Sequence, residues 1–86
     1  MITDQELSRK FMSQSAAIGA KWRVETGDWL SRSRPDLIVA VGAAQEALDR
    51  AWTEVRKGLV HPIVFDMALL AWGKRSEEAI AAWEAR

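Results

Sequence analysis

Apolar residues recur along this chain at helical spacings, and three stretches carry the pattern. In the first, Leu7, Phe11, Ile18 and Trp22 lie four, seven and four residues apart, which puts them on one helical face. Thr3-Asp4-Gln5-Glu6 has the form of a capping box, with Thr3 as N-cap, and Gly27 reads as the stop. Gln14 and Ser15 interrupt this face and make it the least apolar of the three. In the second stretch Leu37, Val41, Ala44, Leu48, Ala51 or Trp52, and Val55 form a seam. Ser33 suits its cap and Pro35 its first turn, and Gly58 ends it behind Arg56 and Lys57, whose charge favours a helix C-terminus.

The third stretch starts behind His61, with Pro62 in its first turn and a seam of Phe65, Leu69, Trp72, Ile80 and Trp83. Ser76-Glu77-Glu78 resembles a fresh N-terminus after Gly73, but the apolar phase crosses Gly73 without a slip, so one continuous helix is expected. No stretch keeps the two-residue alternation of a strand. The pattern predicts an all-α fold, a three-helix antiparallel bundle in a single domain spanning 1–86, with helices at about 4–25, 34–57 and 62–85. Residues 26–34 read as a connecting loop, and the short turn near 58–61 makes the second and third helices antiparallel neighbours.

Two segments exceed what such a bundle covers. Leu37–Ala44 is apolar on every side, and Ile63–Trp72 carries Asp66 as its only charge. A helix apolar all round must be covered all round. A partner surface supplies that cover, either a second copy, so that homodimerisation completes the bundle, or another protein. Ile38, Val39, Val64 and Met67 are the candidate contact residues in these segments.

Size points the same way. A chain of 86 residues holds one modest core, and small folds commonly add disulfides, metals or association. Cysteine is absent and His61 is the one histidine, so disulfides and thiolate metal sites are excluded and neither metal nor cofactor is expected. Twelve basic and twelve acidic residues cancel, against the basic excess usual for nonspecific nucleic-acid binding. The doublets Arg9-Lys10 and Arg56-Lys57 could still meet at one end and take an anion or a nucleic-acid backbone, which keeps a nucleic-acid-associated regulator as the alternative function. No apolar run approaches the ~20 residues of a membrane span. The opening MITDQELSRK lacks the layout of a secretory signal, so a cytoplasmic setting is expected.

Five tryptophans complete the picture. Trp22, Trp52, Trp72 and Trp83 sit on or beside the seams, whereas Trp29 falls in the expected loop next to Leu30. A loop aromatic is either a lid over the bundle end or a contact anchor. With Arg32 and Arg34 it forms the best candidate contact site, since aromatics and arginine are enriched at binding hot spots. A tryptophan-lined pocket between helices is a third option. No residue pair suggests acid–base or nucleophilic work: the glycines are scattered singly, His61 reads as a turn residue, and Glu77-Glu78 are adjacent and do not face each other. The expected function is a small non-catalytic protein–protein interaction module, an adaptor, subunit or inhibitor.

Overall fold

The computed structural model describes residues 2–86 and contains four helices: α1 (Asp4–Lys21), α2 (Val24–Ser33), α3 (Pro35–Arg56) and α4 (Ile63–Glu84). Among the described residues there is no strand. Local signals account for several boundaries. The Glu6 N–H donates to Thr3 Oγ1 at 3.2 Å, which caps α1, and Pro35 opens α3. Gly58, at φ +75°, ends α3 in a Schellman turn: its N–H donates to Val55 O at 3.0 Å and the Leu59 N–H donates to Glu54 O at 2.9 Å. Helix α4 runs unbroken through Gly73, as the apolar phase predicts.

The expectation of three helices is corrected to four, and the expected loop at 26–34 is largely helix. The chain breaks earlier, at Trp22 and Arg23, which adopt extended backbone (ψ 120° and 167°) although neither is a breaker by type. Thr26 closes the start of α2, its Oγ1 accepting from the Arg23 N–H at 3.2 Å. Thr26 and Leu30, one turn apart, are both wholly buried. The residues that look like loop chemistry are the solvent face of this helix. Ser31 and Arg32 donate back to the carbonyls of Gly27 and Asp28, at 2.8 and 3.2 Å. A free helix of ten residues is marginal in water, so α2 owes its existence to packing on α3 and α4.

The three long helices run up, down and up. Lys10 pairs with Asp66 at 2.8 Å near the starts of α1 and α4, and Ala20 and Lys21 lie beside Trp83 and Glu84 near their ends, so α1 and α4 are parallel. Helix α3 opposes both: Asp4, at the start of α1, accepts from the Trp52 indole N–H at 3.3 Å and pairs with Arg56 at 3.6 Å, near the end of α3. Helix α4 touches all the others and supplies Phe65, Leu69, Trp72, Ala79 and Ile80 to the core. Leu7 and Ile18 join from α1, Leu30 from α2, and Leu48, Ala51 and Val55 from α3. At its middle, Phe11 packs on Trp52 and Trp72, and Trp52 meets Phe65 edge-on with ring centroids 5.6 Å apart.

The molecule is long and thin. Its Cα trace measures 44 × 21 × 16 Å, and 16 Å is the thickness of two helix layers with axes about 8–10 Å apart. The radius of gyration, 13.9 Å, exceeds the value of about 12 Å for a compact chain of this length. The accessible surface of 5664 Å² likewise exceeds the figure of about 5,100 Å² for a folded monomer of this mass. Every helix therefore keeps a broad outer face.

Candidate interaction surface

Exposed apolar side chains gather on the outer face of α4, whereas Met12, Val24 and Val39 are exposed one to a helix on α1, α2 and α3. Phe65, Leu69 and Trp72 point into the bundle, and the residues in the opposite phase, Ile63, Met67 and Leu70, point out. They are 53%, 65% and 70% exposed. Their spacing of four and three puts them in one stripe, and Leu59 in the preceding turn is 69% exposed. Val64, a quarter turn round, is about a third exposed. The stripe continues with Lys74 and Glu77, so it is apolar through the first half of α4 and charged through the second. The helix start is locked by its own flank: the Ile63 N–H donates to His61 Nδ1 at 3.1 Å. Asp66, the one charge in the apolar half, is occupied by Lys10.

The residues singled out in sequence divide between two ends of the molecule, because α3 and α4 are antiparallel. Val64 and Met67 belong to the α4 stripe. Trp29, Leu30, Arg32, Arg34, Ile38 and Val39 lie at the other end, on α2 and the start of α3. There Leu30 is wholly buried and offers nothing to a partner, which corrects its place among the contact candidates. Its burial follows from the helix that replaces the loop. Trp29 is half-buried on α2 and packs its ring edge-to-face with Trp83 at 6.1 Å, while the Arg86 guanidinium sits 3.3 Å from the Trp83 ring centroid. Arg34 grips Asp36 with two hydrogen bonds of 3.1 and 3.0 Å. These bonds hold the Asp36 carboxyl below its ordinary range and push the Arg34 guanidinium up.

The two segments that look apolar all round meet different fates. In 37–44, Leu37, Ile38, Ala40, Val41 and Ala44 are half-buried, and Val39 alone of the large residues is prominent, at 69% exposed. Helix α2 packs on α3, and Val41 lines a groove with Ile18, Trp22 and Trp72. Among the described residues, nothing covers Ile63, Met67 and Leu70 from outside. Ile63 and Leu70 escape the sequence reading although the signal exists: both fall opposite the Phe65–Leu69–Trp72 seam.

Other sites are weaker. Of the basic doublets, Lys10 is taken by Asp66 on α4 and Arg56 by Asp4 at the start of α1. The groove beside Lys10, about 730 Å³ between α1 and α4, mixes Glu6 and Asp66 with Arg9 and Lys10. A second groove of about 370 Å³ is lined by Ile18, Trp22, Val41, Gln45, Trp72 and Ser76. Among the described residues, no three His, Asp or Glu side chains gather as a metal site, and no helix is long and apolar enough to cross a membrane. No protein family, curated protein or solved structure compared with the chain matches it.

Proposed function

We propose that this chain is a non-catalytic protein–protein interaction module that works through the outer face of the first half of α4. The observation that carries the reading is the stripe Ile63, Met67 and Leu70, each more than half exposed. With Leu59 it leaves on the order of 500 Å² of side-chain surface in water, near the upper end of the largest patch on an ordinary monomer. Burying such a patch favours association by the hydrophobic effect, and the thin bundle has no further layer of its own to do so. The charged second half of the stripe supplies the polar rim that interfaces carry around an apolar centre.

Photo-crosslinking in the native cell tests this. A benzophenone side chain placed at position 67 is expected to form a protein adduct, and one at Arg50, on the outer side of α3, is not. Absence of any adduct at 63, 67 and 70 would overturn the reading.

A further inference from the structure

We propose that the occupant of this face is a second copy of the chain, packed with its α4 antiparallel to the first about a two-fold axis close to Met67. This rests on the interaction reading above and names its partner.

The spacing of the stripe fits a helix pair. Ile63, Met67, Leu70, Lys74 and Glu77 follow one another by four, three, four and three, the repeat that keeps one seam facing a partner helix. Met67 is the middle of the apolar part. An axis there sets Met67 against its mate and Ile63 against the neighbour's Leu70, so each apolar residue meets another.

Charge selects this orientation over the parallel one. In a parallel pair Lys74 would face Lys74 and Glu77 would face Glu77. In the antiparallel pair, Glu77 lies ten residues beyond Met67, about 15 Å along the helix. That carries it past the neighbour's Ile63 to the level of the 57–62 turn, and Lys57, which closes α3 there, is the cation the pairing assigns to it. Lys57 and Glu77 are both exposed, and among the described residues neither makes an ion pair within the chain. Two-fold symmetry makes two such Lys57–Glu77 pairs, one at each edge of the apolar strip. The Lys74 stem passes over the neighbour's Leu59, which is otherwise in water.

Area agrees. The stripe and Leu59 from two copies bury about 1,000 Å² in total, the lower threshold for a specific interface. A dimer of that size is reversible and depends on concentration. It also thickens a molecule whose shortest dimension is 16 Å.

The absence of cysteine gives the test a clean background. Met67→Cys treated with a short bis-maleimide is expected to give a covalent dimer in high yield. Val39→Cys, equally exposed on α3, is expected to stay monomeric. A mixture of Ile63→Cys and Leu70→Cys chains should cross-link to each other more than either does alone. In sedimentation equilibrium, Glu77→Lys should weaken the dimer at least several-fold, and Lys57→Glu in the same chain should restore it. Equal yields at 67 and 39, a wild-type monomer at millimolar concentration, or no rescue by the charge swap would overturn the proposal. The two readings separate by the mass of the cellular adduct at position 67. An adduct with a different protein, together with a monomeric wild type, defeats self-pairing and leaves the interaction reading standing. No adduct at all defeats both.

Discussion

Leu30→Ala tests the element on which the fold departs most from expectation. If residues 26–34 were a surface loop, truncating Leu30 would change stability by no more than about 0.5 kcal/mol, as most surface substitutions do. In the structure Leu30 is wholly buried beneath α2, against α3 and α4. The change removes three buried carbons, worth about 0.8 kcal/mol each in transfer. A residual cavity adds to this, though a short edge helix can settle partly into the gap, so the expected loss is about 2.5–3.5 kcal/mol. For a domain of this size that lowers the melting temperature by roughly 10–20 °C. Urea unfolding followed by circular dichroism at a fixed protein concentration measures it directly. Val24→Ala is the matched control, on the same helix but 80% exposed, and should shift stability by less than about 0.5 kcal/mol. A loss below 1 kcal/mol for Leu30→Ala would refute the placement of α2. Tryptophan fluorescence adds a second check: the Trp29–Trp83 contact should unfold with the rest and not ahead of it.

Further outcomes follow from the glycines and from one ion pair. Gly42 sits mid-helix with open space where a Cβ would go, so Gly42→Ala should stabilise by about 1 kcal/mol in urea melts. Gly58→Ala should destabilise by about 1–2 kcal/mol in the same assay, because its positive φ suits glycine alone. At Gly73 a Cβ would overlap the Gln14 side-chain amide, so the same helix-propensity gain should appear more fully in a Gln14→Ala background than in the wild type. Asp36 is held below its ordinary value of 3.8 by Arg34, so its contribution is present above about pH 4 and fades as the pH falls through its lowered value. Asp36→Asn should therefore lower stability slightly at neutral pH and flatten the acid limb, so that the variant and the wild type converge as the pH falls below that lowered value; the effect is small because the pair is exposed.

The long helices are legible because each carries a seam and a punctuation mark that agree. Gly58 with Arg56 and Lys57 ends α3 where the seam stops, and the unbroken phase from Phe65 to Ile80 outweighs Gly73. The break at Trp22–Arg23 is not legible. Neither residue disfavours a helix, and Gly27, which reads as the stop, lies inside one. What decides there is tertiary: Thr26 and Leu30 are buried because the chain leaves its first helix at Lys21, four residues before the expected end. The site is legible to the same degree. Met67 and Val64 follow from the all-round apolar character of 63–72, while the burial of Leu30 depends on a helix visible only in three dimensions.

The central place of α4 also sets an order of events. Helices α3 and α4 are joined by a turn of six residues, so their pairing closes a small loop at little entropic cost. The contact of α1 with α4, seen in Lys10 and Asp66, spans 56 residues of sequence and must wait for that hairpin. Helix α1 then docks on a hairpin already formed. Its amide protons should exchange through partial openings well below the free energy of global unfolding, while those at the α3–α4 contact exchange only when the whole chain unfolds.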